Sequence, residues 1–288
     1  MERKPLALLG SFHNTIVRKA GISMAEKGTS ESIADSSKPN AGRIYDYLLG
    51  GNHNFEVDRM AAQQILQFAP ITPQMFRTIR WFLGEAVRRV AADGYTRFID
   101  FASGLPTMDH IHQVAPPGTK VIYSDLDPVT VAYGQEILTD HPDARYLACH
   151  AGKPETLLGS PVVTQLFGEN RKVAIGFNGI AWFLPDEEIA HAMQSLHAWS
   201  APGSRLFLSD IDYSSTTPEG KRMITMYEKL GQPFHLRTLQ GLKKLISPWK
   251  VREPGFKPLE EWFEMKKVVG EKTETTFGGL LMGAILEK

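Results

Sequence analysis

The sequence predicts an α/β fold with a mostly parallel, seven-stranded sheet and helices on both of its faces. Three observations support this: five short apolar runs, helical stretches between them, and two further apolar runs near the C-terminus. Apolar runs that alternate with helical segments are typical of buried parallel strands joined by crossover helices. The predicted parallel strands are Phe98–Phe101, Lys120–Asp125, Arg145–Cys149, Lys172–Phe177 and Arg205–Asp210. The terminal runs Trp262–Val268 and Leu280–Leu286 predict an antiparallel pair at one edge of the sheet.

We divide the chain into three parts. Residues 1–39 are weakly patterned and form an N-terminal extension with a short helix, which we interpret as a lid or a tail. Residues 40–94 form an N-terminal helical cap, in which Thr72 is predicted to cap a helix that has Pro73 at its first position. Residues 95–288 form a Rossmann-like domain that contains the sheet.

Composition and charge exclude several classes of protein. The 288-residue chain carries 32 basic and 32 acidic side chains, and this balance does not favour an anionic partner. The single cysteine, Cys149, excludes an internal disulfide and a cysteine-based metal cluster, and no spacing of other ligands predicts a metal site. Because no apolar run is long enough to cross a bilayer and no secretory leader is evident, we expect a cytoplasmic protein that binds neither nucleic acid nor membrane. The sequence leaves its oligomeric state open.

The first two predicted strands have the features of a nucleotide-binding unit. Small residues at 102–104 follow the first strand and let the backbone approach a ligand, while Asp125 ends the second strand and can accept ribose hydroxyls. The turn has one glycine, and Pro106 removes an N–H where a pyrophosphate-binding loop needs a third glycine. This pattern favours a phosphate-free cofactor, for which S-adenosylmethionine is the common choice. The alternative is an ordinary crossover that binds no ligand.

Three segments carry a family resemblance: Asn40–Arg59, Phe98–Thr107 and Val121–Val129. They resemble, in order, the opening motif, the cofactor loop and the ribose-binding segment of a family of S-adenosylmethionine-dependent methyltransferases. This family is abundant in actinobacteria and was once catalogued only as a domain of unknown function. The resemblance runs from about Asn40 to the C-terminus and implies a Rossmann-like class I methyltransferase fold with S-adenosylmethionine as cofactor.

The resemblance also implies roles for individual residues. The turn at 102–104 would lie under the methionine part of the cofactor, Asp125 on the ribose hydroxyls, and Leu126 and Asp127 beside the adenine. Asp127 can equally be only a helix cap. The implied cofactor-binding residues are Arg43, Asn54, Phe55, Ala102, Ser103, Gly104, Asp125, Leu126, Asp127 and Asn178. Most of the family has glycine at position 102, and the alanine here adds a methyl group, so we expect its φ to be negative.

Methyl transfer chiefly requires a nucleophile held in line with the methyl–sulfur bond in a site poor in water. A base is needed only when the nucleophile must lose a proton. The candidate catalytic residues are His53, Tyr45 and Tyr213, with Asp210 as a further candidate base. Each of them can also be a structural or substrate-contacting residue.

The function that we expect is methyl transfer from S-adenosylmethionine to a small molecule, in specialised metabolism. One alternative keeps the cofactor but transfers or cyclises its aminocarboxypropyl group, and it is motivated by Ala102 and the N-terminal extension. Another alternative is a non-catalytic protein that only binds the cofactor. Trp182 and Phe183 either wall a substrate pocket or belong to the core.

Overall fold

The structure is a computed structural model that describes residues 37–213, 216–263, 275 and 277–288. The extension predicted over residues 1–39 therefore lies almost entirely outside the described residues, as does most of the predicted strand Trp262–Val268. Among the helices that the structure describes, none combines the length and apolar character needed to cross a bilayer. The cytoplasmic location stays a prediction, as does the boundary between cap and sheet domain at residue 94.

The secondary structure alternates between strands and helices after three initial helices. The α-helices are α1 (Ala41–Leu48), α2 (Glu56–Phe68), α3 (Thr72–Ala92), α4 (Ile111–Val114), α5 (Pro128–Ile137), α6 (Glu155–Leu158), α7 (Pro161–Phe167), α8 (Asp186–Trp199), α9 (Pro218–Lys229) and α10 (Leu239–Leu245). The strands are β1 (Arg97–Asp100), β2 (Lys120–Asp125), β3 (Ala144–Ala148), β4 (Ala174–Asn178), β5 (Arg205–Asp212), β6 (Lys250–Val251), β7 (Lys257–Pro258) and β8 (Leu280–Glu287).

The sheet has the strand order β3-β2-β1-β4-β5-β8-β6, and β7 pairs with β8. Strands β1 to β5 are parallel, with Ile99 in register with Ile122 on one side and Ile175 on the other. Strand β8 runs antiparallel to β5. The predicted α/β class with a mostly parallel sheet is therefore confirmed. Because the order reverses beside β1, the carboxyl ends of β1, β2 and β4 border the crevice where ligands bind in such sheets.

Within the described residues the sheet has eight strands rather than the predicted seven, because β6 and β7, of two residues each, add to its C-terminal edge. Trp262 and Phe263, predicted as the start of a strand, belong instead to a 3-10 helix. The buried indole of Trp262 packs edge-on against Phe82 at 5.4 Å between ring centroids, and its Nε1 donates to the Gly283 carbonyl at 3.1 Å. These contacts hold the segment against the sheet rather than in it.

The helix caps are partly as predicted. Asp127 caps α5 by accepting from the Thr130 N–H, so it is a helix cap, whereas its place beside the adenine stays a prediction. Thr238 caps α10 in the same way. The predicted N-cap at Thr72 is wrong, because Thr72 is itself the first residue of α3. Its hydroxyl donates to the Ala69 carbonyl at 2.7 Å. The Thr72 hydroxyl is therefore bonded to the turn before α3 and does not accept from the first N–H groups of the helix.

The backbone of Ala102 contradicts our expectation of a negative φ, because its φ is +50°. The chain must turn sharply at the end of β1, and Gly104 in the same turn has a φ of +62°. A left-handed conformation brings the Cβ of an L-residue close to the backbone and costs about 1–2 kcal/mol. Ala102 therefore stores strain that glycine would not.

We expect Ala102→Gly to stabilise the protein by about 1 kcal/mol, which corresponds to about 2–4 °C in a thermal melt. The matched control is Ala115→Gly, because Ala115 has a φ of −78°. There the added freedom of glycine in the unfolded chain should lower the stability. Equal losses for both variants would show that Ala102 is not strained.

Candidate active site

A cavity of about 340 Å³ lies beyond the carboxyl ends of the parallel strands. Helices α1, α3 and α9 contribute walls on the side away from the strands. We distinguish two arms by their lining. The strand-end arm is lined by Ala102, Ser103, Gly104, Asp125, Leu126, Cys149, His150 and Ala151, and the aromatic arm by Phe76, Phe183, Met223, Tyr227, Phe234 and Phe277. The two arms belong to one continuous cavity.

The turn at 102–104 is held in place by side chains and backbone of the next two strands. The Ser103 N–H donates to the Ser124 carbonyl at 2.9 Å. The Tyr146 hydroxyl donates to the Gly104 carbonyl at 2.6 Å and lies 3.3 Å from the Ser103 hydroxyl. A Cβ at Gly134 would lie 2.2 Å from the Tyr146 ring, so the glycine in α5 makes room for that ring. Sequence reasoning missed Tyr146, although the glycine inside a helix was a usable signal.

Asp125 lies at the tip of β2 and lines the cavity. Its Oδ2 accepts from the Gly104 N–H at 3.2 Å and its Oδ1 from the Asp127 N–H at 3.0 Å. A carboxylate offers about four acceptor positions, so each oxygen can accept one more hydrogen bond from the cavity. Burial raises the pKa of Asp125 to about 6, partly offset by the backbone N–H of Asp127. The carboxylate is therefore ionised at neutral pH.

These features fit an adenosyl cofactor without phosphates. Asp125 has acceptor capacity for two ribose hydroxyls, and the strained turn brings backbone close to the cavity. Leu126, whose side chain is 63% exposed, offers an apolar surface at the cavity lip. S-adenosylmethionine supplies an electrophilic methyl group on a sulfonium, and the residues that would hold it are those of the strand-end arm.

Four predicted cofactor residues do not line the cavity. Arg43 is buried and pairs through Nε with Asp58 at 2.8 Å and through Nη1 with Asp127 at 3.1 Å. Its guanidinium also lies 5.1 Å from the centre of the Phe55 ring. The amide of Asn54 donates to Asp46 at 2.9 Å. These groups are engaged in holding α1, α2 and α5 together behind the cavity wall.

The predicted catalytic residues are dispersed. Tyr45 lines the cavity, and its hydroxyl donates to the Phe76 carbonyl at 3.1 Å. Burial raises the pKa of Tyr45, which keeps it protonated at neutral pH. His53 lies off the cavity with its ring 5.4 Å from that of Tyr133. The Tyr213 hydroxyl bonds to Thr216, also away from the cavity lining.

The candidate base Asp210 is buried on β5 and does not line the cavity. It pairs with Arg237 at 3.4 Å, and the same guanidinium donates to the Ala181 carbonyl at 2.9 Å and to the Leu184 carbonyl at 2.6 Å. Burial raises the pKa of Asp210 to about 7, and Arg237 acts in the opposite direction. This cluster braces the loop after β4, which carries Trp182 and Phe183 into the cavity wall.

Three further polar side chains that line the cavity belong to neither arm as defined above: Asn178, Asp100 and Arg80. Asn178 donates to the Ile79 carbonyl at 3.2 Å and accepts from the Ser209 hydroxyl at 2.6 Å. Burial raises the pKa of Asp100 to about 7. Sequence reasoning predicted Asn178 but missed Arg80. The available signal was a charged residue on the apolar face of α3.

The fold and the site together define an S-adenosylmethionine-dependent methyltransferase with the class I fold. The sequence profile of the S-adenosyl methyltransferase family matches residues 26–284. The chain belongs to this family, which confirms the resemblance found in its motifs, and its cofactor is S-adenosylmethionine. No curated protein matches the sequence.

Two solved structures support the same assignment. A candidate methyltransferase from Thermobifida fusca YX is 26% identical, with a TM-score of 0.76 over 88% of this chain and 96% of the other. A DUF574 family protein from Streptomyces avermitilis MA-4680 is also 26% identical, with a TM-score of 0.77 over 88% of this chain and 99% of the other. Both likenesses extend over almost the whole of the related chain.

Asp125 gives a pH-dependent prediction for cofactor binding. Only the carboxylate can accept both ribose hydroxyls, so protonation below the pKa of about 6 should weaken binding of S-adenosylmethionine. We expect Kd to rise about tenfold between about pH 7.5 and pH 5, measured by calorimetry. Asp100 titrates in an overlapping range, so Asp125→Asn is measured alongside. The variant should bind more weakly at neutral pH and show a smaller pH dependence, whereas an unchanged profile would contradict this role.

Removal of the Tyr146 hydroxyl should loosen the cofactor turn. Tyr146→Phe leaves the Gly104 carbonyl without its 2.6 Å donor, which should cost about 1–3 kcal/mol of stability. We also expect weaker binding of S-adenosylmethionine, because the turn is no longer held in one geometry. Thermal melts and calorimetry check both effects, with Tyr133→Phe on α5 as the control. Similar results for the two variants would mean that the hydroxyl does not organise the turn.

Proposed function

We propose that this enzyme methylates a small, apolar acceptor with an aromatic ring, in specialised metabolism. The observation that supports this most is the aromatic arm, which continues from the strand-end arm in one cavity. Phe234 is at its centre, with ring centroids 5.0 Å from Phe183, 4.7 Å from Tyr227 and 5.0 Å from Phe277. Rings at such distances contact one another and form one continuous apolar wall, against which a planar apolar guest can pack.

The proposed arrangement gives each arm one task. The strand-end arm holds the cofactor, with Asp125 on the ribose and Ala102, Ser103 and Gly104 along the methionine portion. The aromatic arm holds the acceptor and excludes water. In this proposal catalysis comes mainly from positioning two reactants in a dry site, without a strong base.

Tyr45 is the predicted catalytic residue that lines the cavity, and we assign it a positioning role. Its raised pKa disfavours the phenolate, and its hydroxyl proton is directed to the Phe76 carbonyl. The centre of its ring lies 4.5 Å from that of Phe76, which belongs to the aromatic arm. His53 and Tyr213 stay predictions, since neither lines the cavity among the described residues.

The proposal is tested by incubating the purified enzyme with S-adenosylmethionine and, separately, with small-molecule, protein and nucleic-acid fractions of a cell extract. Mass spectrometry should find S-adenosylhomocysteine and a singly methylated product in the small-molecule fraction alone. Release of methylthioadenosine would indicate transfer of the aminocarboxypropyl group instead. Methylated protein or nucleic acid would contradict a small-molecule acceptor.

Truncation of the central ring should affect the acceptor and spare the cofactor. We expect Phe234→Ala to raise the KM for the acceptor about tenfold or more, since a large aromatic contact is lost. Binding of S-adenosylhomocysteine should stay within about twofold of the wild type, because Phe234 belongs to the other arm. The control is Phe256→Ala, at a partly buried ring outside the cavity lining. A parallel loss of cofactor affinity in Phe234→Ala would argue against two separate arms.

A further inference from the structure

Arg80 is a buried cation that faces the cavity without a carboxylate partner. Its side chain belongs to α3 and is 9% exposed, and it is the single lysine or arginine among the described residues that line the cavity. Its Nε is buried and has no hydrogen-bond partner within the described part of the chain. Placing an arginine at such a position is costly unless something pairs with it. The unused donor therefore indicates a ligand.

The contacts of Arg80 orient the guanidinium but do not include an ion pair with a described carboxylate. Nη1 lies 2.6 Å from Nε2 of His110, and burial together with the Arg80 charge lowers the pKa of His110 well below its usual value. His110 is thus a neutral acceptor. The guanidinium also lies 5.4 Å from the centre of the Tyr45 ring. Asp100 faces the same space, but no carboxylate of the described residues comes within ion-pair distance of Arg80.

The residue next to Arg80 is attached to the tip of β4, whereas Asp125 ends β2 on the other side of β1. If the ribose is held at Asp125 on β2, the adenosine would lie over β2 and β3, and the rest of the cofactor would extend across β1 towards β4. Asn178 at the tip of β4 donates to the Ile79 carbonyl at 3.2 Å, so the residue next to Arg80 is attached to that end. His110 follows the turn at 102–104 in sequence and holds Nη1 of Arg80 at 2.6 Å. In that placement Arg80 would face the end of the methionine portion.

We propose that Arg80 binds the α-carboxylate of the methionine portion of S-adenosylmethionine. A guanidinium presents N–H donors in a rigid fork that matches a carboxylate, and such charge-assisted bonds are strong in a site that excludes water. This contact fixes the end of the cofactor remote from the ribose and so orients the sulfonium between the two arms. The inference rests on the cofactor placement proposed above, and not on the identity of the acceptor.

The test compares two cofactor products by calorimetry. S-adenosylhomocysteine carries the α-carboxylate, whereas methylthioadenosine keeps the adenosine and lacks the whole amino-acid portion. Arg80→Gln should weaken binding of S-adenosylhomocysteine about 10- to 100-fold and leave binding of methylthioadenosine unchanged. The control is Arg77→Gln, at an exposed arginine one turn earlier on the same helix, which should change neither affinity.

A second comparison keeps the proposal testable if Arg80→Gln does not fold. Wild-type protein is titrated with decarboxylated S-adenosylhomocysteine, which keeps the amine and lacks only the carboxylate. Its affinity should be lower than that of S-adenosylhomocysteine by about the same 10- to 100-fold. Equal affinity would overturn the proposal.

Other outcomes of the first comparison also overturn it. An equal loss for both ligands in Arg80→Gln would mean that Arg80 only supports the fold of the site. If Arg80→Gln bound both ligands as tightly as the wild type, the guanidinium would have another binding partner, such as an anionic acceptor. If wild-type protein bound neither ligand, the cofactor placement itself would be wrong. These affinities are measured without an acceptor, so they test the role of Arg80 even if the search for the acceptor fails.

Discussion

The site depends on the hydrogen bonds that join the turn after β1 to the two neighbouring strands. The Gly104 N–H donates to Asp125 on β2, and the Gly104 carbonyl accepts from Tyr146 on β3. The backbone N–H and carbonyl of Gly104 are thus both hydrogen-bonded to residues outside the turn. This external support explains how Ala102 can persist with a φ of +50° where glycine would be relaxed. The same carboxylate that supports the turn also faces the cavity.

The helices before the sheet complete the site through buried polar contacts. Asn40 caps α1 by accepting from the Gly42 N–H at 2.8 Å, and its own N–H donates to Asp58 at 2.9 Å. Arg43 then connects Asp58 to Asp127, the cap of α5. One arginine between two carboxylates keeps net charge in this buried cluster low, which burial requires. In this chain these residues of the Asn40–Arg59 segment attach α1 to α2 and to the start of α5.

The sequence predicted the sheet well because buried parallel strands leave continuous apolar runs, and it predicted Asp125 because a carboxylate at a strand tip has a position defined by topology. It failed where a side chain acts through distant contacts. In the sequence Tyr146 looks like an ordinary strand residue. Its role comes from a hydrogen bond to the turn after β1, which lies on the far side of β2. In the sequence Arg80 is one of several charged residues in the long helix α3, and its place on the apolar face does not by itself mark it as facing a cavity. His53, a candidate catalytic residue, lies off the cavity lining, and Asp46 accepts from its N–H at 2.9 Å, which connects that loop to α1.

The most direct measurement is a crystal structure of the protein with S-adenosylhomocysteine. Our account predicts both ribose hydroxyls on the Asp125 carboxylate, the adenine beside Leu126, and the amino-acid end directed towards β4. The aromatic arm should stay open for an acceptor. A ligand bound elsewhere, or a ribose that does not contact Asp125, would contradict the central claim.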